Sequence, residues 1–379
     1  MKARLIYAAS ESSADLYYAT RFFAPDPFLF LQEPENGKTH LVTTSLEIDR
    51  ARATAQVDQI HDWAEWRRQF KDYFPHQVPD DATLIGFFLK QANIVHLDVP
   101  SSFPLGLADN LRELGIQLDP APEAFWPGRV FKTADEVAHI EAALEITARA
   151  MNCGIEMIRQ AGIDDNNMLT FHGVPLTSEM VRGEINAQLV RQGAMPSHTI
   201  VSGGLQGADP HESGHGPLPA HAPIILDVFP RVDHTGYWGD MTRTVVRGQA
   251  PELVIRAWMA VREAQEIAFS LIRDGVSGKL VHDAVARHLT DSGFVTGPLA
   301  DGRQGGFFHG TGHGLGLEIH ESPRISPKDQ TLKTGHVVTV EPGLYYPAWG
   351  GVRIEDVVVV EADGCRNLTT NPKFLELLD

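Results

Sequence analysis

Four acidic residues stand where a chain seldom places charge. Asp227 is embedded in Ile-Ile-Leu-Asp-Val-Phe (224–229), Glu341 follows His-Val-Val-Thr-Val (336–340), and Glu355 lies within Gly-Gly-Val-Arg-Ile-Glu-Asp-Val-Val-Val-Val (350–360). Asp240 opens onto Met-Thr-Arg-Thr-Val-Val (241–246). The first and last runs each pair with a neighbour, 224–229 with 239–246 and 336–346 with 350–360. Each pair reads as a β-hairpin carrying one carboxylate in or beside each strand. A buried carboxylate without a partner is costly. Single acids can face an open sheet surface or meet a salt-bridge partner, for which Arg243 and Arg353 are at hand. Four acids in two hairpin pairs call for a shared neutraliser, and divalent cations provide one.

Histidines add to the same chemistry. The run Phe-Phe-His-Gly-Thr-Gly-His-Gly-Leu-Gly-Leu-Glu-Ile-His-Glu (307–321) holds His309, His313 and His320 among glycines. Glycine lets backbone approach a site closely, and imidazole serves as a neutral nitrogen ligand or a proton carrier near neutral pH. Carboxylate-rich ligation with one imidazole suits Mn²⁺, Co²⁺, Fe²⁺ or Zn²⁺ and differs from the Cys/His sets of structural zinc. Two such ions about 3.5–4 Å apart can share a hydroxide and polarise a carbonyl. His198, His215, His221 and His234 read as loop or surface residues.

Positioning these groups requires strands in hairpins and helices to cover them. Helix signals begin at Thr133, where Thr133 and Glu136 fit a capping box, and recur over about 178–192, from Pro251 toward Gly275, and over about 280–290. Strands are expected at 198–202, 224–229, 241–246, 336–340 and 352–360. Blocks of helices and antiparallel strands predict an α+β domain over 134–379. The first third predicts strands at 4–8, 28–31, 40–43 and 94–99, the middle two joined by an Asn-Gly turn, and helices at 46–56, 63–74 and 105–114. This reads as a smaller α/β domain, 1–122, joined by a Pro/Gly-containing linker at 123–133.

The 379 residues suit two domains. A net charge of −17 disfavours nucleic acid and anionic membranes as partners. Two cysteines, Cys153 and Cys365, read as packing residues and fit a reducing compartment. With no signal-peptide pattern and no long apolar run, the cytoplasm is the expected location.

Taken in order, Gly-Tyr-Trp-Gly-Asp-Met-Thr-Arg-Thr (236–244), His-Gly-Thr-Gly-His-Gly-Leu-Gly-Leu-Glu-Ile-His-Glu (309–321), Thr-Val-Glu-Pro-Gly-Leu-Tyr (339–345) and Gly-Val-Arg-Ile-Glu-Asp (351–356) resemble the pita-bread metallopeptidases, in the Xaa-Pro aminopeptidase and prolidase branch. The resemblance implies a C-terminal pita-bread catalytic domain behind a creatinase-type N-terminal domain. It implies Asp227, Asp240, His313, Glu341 and Glu355 as ligands of two divalent ions, manganese first among them, with Glu341 also accepting a proton from water. It implies that His211 and His320 line the substrate site, with His309, Tyr345 and Arg353 around them. Short proline-containing peptides are the implied substrates, and a homodimer or higher homo-oligomer the implied assembly. On the same strand, Arg353 and Glu355 would share a face and Arg353 would orient a neighbouring carboxylate.

One departure stands out. The family pattern Asp-x-Gly is Asp227-Val228-Phe229 here, followed by Pro230 and a longer connection to Asp240. Phe229, Arg231 and His234 are therefore expected to alter one wall of the site, and Arg231 is a candidate partner for a substrate carboxylate. A carboxypeptidase-like specificity and a non-catalytic binding module of the same fold are the alternatives. Metal-free creatinase-like chemistry fits poorly with a full set of five ligands.

Overall fold

The computed structural model describes residues 2–121 and 124–378. The chain divides after Arg129 into two compact units. Pro122 and Glu123, at the expected junction, lie outside the described residues.

The first unit is a six-stranded mixed sheet of β1 (Ala3–Ala8), β2 (Phe28–Gln32), β3 (Thr39–Thr43), β4 (Gln59–Asp62), β5 (His96–Val99) and β6 (Gln117–Pro120), in the order β4-β3-β2-β1-β5-β6. Helices α1 (Ala14–Thr20), α2 (Ile48–Thr54), α3 (Trp63–Tyr73), α4 (Asp81–Gln91) and α5 (Leu105–Glu113) accompany it. The hairpin β2–β3 forms where the Asn-Gly signal predicts it. Helices α1 and α4 were not anticipated. The first has only seven residues and depends on its Ser13 cap. The second buries Leu84, Ile85 and Leu89 while Phe87 and Phe88 also pack inward, so it presents no clean polar face in sequence.

The second unit has two halves of one design. In the first, α6 (Ala134–Arg159) and α7 (Ser178–Arg191) pack on a sheet of β7 (Ile200–Gly203), β8 (Ile224–Val228) and β9 (Met241–Arg247). In the second, α8 (Glu252–Leu271) and α9 (Gly278–Asp291) pack on a sheet that includes β10 (Gly312–Gly314), β11 (Glu321–Ile325) and β12 (Val337–Val340). The remaining strands are β13 (Gly343–Tyr346), β14 (Gly350–Arg353), β15 (Asp356–Val360), β16 (Cys365–Asn367) and β17 (Glu376–Leu377). The predicted capping box starts α6, with Thr133 Oγ accepting from Glu136 N and Glu136 reaching back to Thr133 N.

The hairpin 224–229/239–246 forms as predicted, with Asp227 opposite Thr242. The other hairpin corrects the sequence reading. Instead of a single strand over 352–360, β14 ends at Arg353 and β15 starts at Asp356, and the facing strand breaks at Glu341-Pro342. β12 pairs with β15 in one sheet while β13 pairs with β14 in another. Proline at 342 lacks the N–H that would continue the ladder. Glu341 and Glu355 therefore occupy two facing breaks, and Arg353 and Glu355 do not share a strand face. Val337, Val338, Val340, Val357, Val358 and Val360 flank these breaks at 0% exposure, each contributing about 1.5–3 kcal/mol by burial.

β10 pairs antiparallel with β12, and a Cβ on Gly312 would strike the Thr339 carbonyl oxygen. Gly312→Ala is expected to destabilise this unit by roughly 1–3 kcal/mol. Gly183→Ala, mid-helix in α7 with open space around it, is expected to stabilise it by about 0.5–1 kcal/mol. Denaturant unfolding of both variants checks the pair, and equal effects would contradict the close approach.

Candidate metal centre

Asp227 and Asp240 come from the first half of this unit, His313, Glu341 and Glu355 from the second. Asp240, His313 and Glu355 are buried, with candidate ligand atoms all within 4.8 Å of one another. His313 Nε2 lies 3.7 Å from Asp240 Oδ2 and 3.5 Å from Glu341 Oε1. His313 Nδ1 donates to the Gly314 carbonyl at 3.1 Å, which leaves the Nε2 lone pair facing the carboxylates, as a metal ligand requires. Thr242 Oγ donates to Glu355 Oε2 at 2.8 Å.

Asp227 is held differently. Arg353 Nη2 donates to Asp227 Oδ2 at 2.8 Å, while Asp227 Oδ1 is buried without a hydrogen-bond partner. The carboxylate oriented by Arg353 is thus Asp227, across the hairpins, rather than a neighbour on its own strand. Arg353 also donates from Nε to Thr242 Oγ at 3.2 Å and from Nη1 to Tyr345 OH at 2.8 Å. Tyr345 OH is 3.0 Å from His309 Nε2, and His309 Nδ1 is 2.7 Å from the Gly310 carbonyl. Donation from His309 to Gly310 leaves Nε2 to accept from Tyr345, so one chain of hydrogen bonds runs from Asp227 to His309.

Charge accounts for the rest. Burial, then the charges of Asp227 and Glu341, push the Asp240 carboxyl far above its usual range. Glu355 is pushed up by burial and by Asp240, Glu341 and Asp227. Burial raises Glu341 to about 7, although 19% of its side chain stays open to the cavity. Burial and nearby His320 lower His313 to about 3, and burial with nearby Arg353 lowers His309 to about 4. Both imidazoles are neutral at physiological pH. Arg243 pairs with Asp356, outside the cluster, so Arg353 alone cannot neutralise four acids. An orphaned carboxylate oxygen, three carboxylates forced toward protonation and an imidazole nitrogen aimed among them fit a divalent cation site.

The cluster floors a cavity of about 750 Å³. His211 and His320 are exposed side chains on its wall, and His309 lines it as well. Asp209 Oδ1 accepts from His211 N at 2.9 Å, the turn anticipated before that histidine. Phe229 lines the cavity, but Arg231 and His234 are not among its lining residues. Arg231 lies instead in a short strand paired with Met195. The cation on the cavity wall that the sequence reading missed is Arg324. Its signal was the alternation of β11, where Ser322 and Arg324 fall on the exposed face.

Residues 138–362 match metallopeptidase family M24. The chain belongs to that family. This metallopeptidase is 32% identical to the uncharacterized peptidase YqhT of Bacillus subtilis (strain 168) over 266 residues, 69% of this chain and 68% of that protein. It is 26% identical to the Xaa-Pro dipeptidase of Lactobacillus delbrueckii subsp. lactis over 386 residues, covering 97% and 93% of the two chains. Among solved structures, the Xaa-Pro dipeptidase from Bacillus anthracis superposes with a TM-score of 0.82 at 23% identity, covering 99% of this chain and 94% of that one. The likeness extends across both units and bears out the expected pita-bread fold with its smaller N-terminal domain. Among the described residues, no helix of the metallopeptidase is long and apolar enough to cross a membrane.

The raised Glu341 carboxyl sets a pH dependence. Without metal, the folded protein holds a proton that the unfolded chain releases between its ordinary 4.5 and about 7. That contribution to stability is complete below the ordinary value and is lost as pH rises through the folded one. The buried histidines add stability as pH rises toward their ordinary value, so the Glu341 contribution is read as a difference: the melting temperature of chelator-treated protein should fall across this window relative to that of Glu341→Gln. Identical profiles for the two proteins would contradict the assignment.

Proposed function

We propose that this metallopeptidase hydrolyses Xaa-Pro bonds in short peptides, Xaa-Pro dipeptides first. The observation that carries the reading is a buried carboxylate–imidazole cluster at the floor of a cavity whose wall carries Arg324, while the second lining arginine, Arg353, is engaged by Asp227 and Tyr345. The cluster suits attack on an amide carbonyl, and a guanidinium suits the free carboxylate of a dipeptide. The Lactobacillus delbrueckii relative is named an Xaa-Pro dipeptidase.

Asp227, Asp240, His313, Glu341 and Glu355 would hold two divalent ions, with manganese the first candidate. The chemistry such ions would supply is a water of lowered pKa and a polarised scissile carbonyl. Glu341, open to the cavity and held at about 7 before loading, accepts the proton of the attacking water. His320 and His211 reach the substrate from the wall, one donating to the oxygen that gains charge, the other serving the departing proline nitrogen. Arg353 fixes Asp227, and Tyr345 and His309 fix Arg353 in turn. Phe229 narrows the cavity where the family pattern has glycine, and so restricts the side chains admitted. A homo-oligomer working on small peptides remains the proposed assembly.

With Mn²⁺, Ala-Pro should be cleaved faster than Ala-Pro-Ala, Ala-Ala-Pro and Ala-Ala, and Asp240→Ala should be inactive. Free proline from Ala-Ala-Pro would instead favour the carboxypeptidase-like alternative. Arg324→Met should raise KM for Ala-Pro by about 10- to 100-fold, from one lost charge-assisted contact, while sparing the N-terminal cleavage of Ala-Pro-Ala. Equal losses on both substrates would contradict the role given to Arg324.

A further inference from the structure

The breaks that carry Glu341 and Glu355 interrupt the strand ladders, so their peptide carbonyls need other partners. Gln265 on α8, fully buried, supplies two. Its Nε2 donates to Val340 O at 2.8 Å and to Ile354 O at 3.4 Å, the carbonyls immediately before the two glutamates. Arg243 Nη1 donates to Glu355 O at 2.7 Å. These two donors are the ends of one chain of polar contacts. Gln265 Oε1 accepts from Lys373 Nζ at 2.6 Å, Lys373 Nζ pairs with Asp356 Oδ2 at 2.6 Å, and Asp356 Oδ1 pairs with Arg243 Nη2 at 2.9 Å. The carbonyls of Asn371 and Pro372 accept from Arg243 at 2.7 and 3.2 Å.

We infer that the chain of contacts Gln265–Lys373–Asp356–Arg243 is a positioning device for Glu341 and Glu355, and that the segment Asn371–Lys373 is therefore part of the apparatus that sets metal affinity. The inference rests on the metal reading above. Among the described residues, this chain of contacts bonds to backbone carbonyls beside Glu341 and Glu355 rather than to the carboxylates of the cluster. It orients the peptide units from which two of them project, and Lys373 keeps the Gln265 amide turned so that its N–H groups face the breaks. A lysine 18 residues beyond Glu355 along the chain, outside the motifs that carry the ligands, would not be found from the peptidase motifs.

The test is Mn²⁺ binding by calorimetry on the full chain, with kcat and KM for Ala-Pro alongside. Lys373→Met removes the cation that fixes the amide. Gln265→Glu keeps the pairing with Lys373 but puts an acceptor against Val340 O and Ile354 O. Each should weaken Mn²⁺ binding by about 10- to 100-fold, the range for groups that orient metal ligands, and should lower kcat with little change in KM. Lys373→Arg, able to bond both Gln265 and Asp356, should recover most of the affinity. Folded Lys373→Met and Gln265→Glu proteins that bind Mn²⁺ like wild type would overturn the inference. So would variants that fail to fold even in excess Mn²⁺, which would make this chain of contacts a folding element only. A wild type that binds no Mn²⁺ would remove the metal reading itself and this inference with it.

Discussion

The second unit is organised around an electrostatic conflict. Four carboxylates and a neutral imidazole converge at the largely buried floor of one cavity, where water screens them poorly, and among the described residues Arg353 is the one arginine paired with them. Taking an ion out of water costs several kcal/mol even after relaxation, more than any one of the valines flanking the two glutamates returns. A site of this kind is stable with its charges intact only when cations enter it. The folded chain is therefore a receptor whose ligand completes its electrostatics.

The surrounding structure keeps the conflict from relaxing. Arg353 binds one oxygen of Asp227 and leaves the other without a partner. Thr242 accepts from Arg353 and donates to Glu355, tying two carboxylates through one hydroxyl. His313 gives its Nδ1 proton to the Gly314 backbone, and so cannot rotate to offer a proton to the acids instead. Proline at 342 and the pairing of β12 and β13 with different partners hold the glutamates at ladder breaks, where their side chains escape the strict alternation of a strand.

Much of this was legible in the sequence because the cost of burying charge leaves a compositional mark. An aspartate inside Ile-Ile-Leu-Asp-Val-Phe, or glutamates beside valine runs, announce a site wherever they fall. The glycines around His313 announce close packing, and the capping box at Thr133 and the Asn-Gly turn announce local geometry. What escaped notice depends on distance through space. Strand alternation over 350–360 gives no hint of the break after Arg353, because Ile354 and Glu355 have ordinary strand chemistry and only the partner of each half differs. The pairing of Arg353 with Asp227 joins residues 126 apart. Arg231 looked apt as a carboxylate partner by proximity to Asp227, yet the short strand shared with Met195 takes it elsewhere and leaves Arg324 on the cavity wall.

The central claim is that the cluster is built to hold divalent cations. Anomalous diffraction from crystals grown with Mn²⁺ tests it most directly. The account predicts two manganese peaks about 3.5–4 Å apart, among Asp227, Asp240, His313, Glu341 and Glu355, with the free oxygen of Asp227 ligating one of them. Manganese bound elsewhere, or none bound while the carboxylates keep their positions, would contradict it.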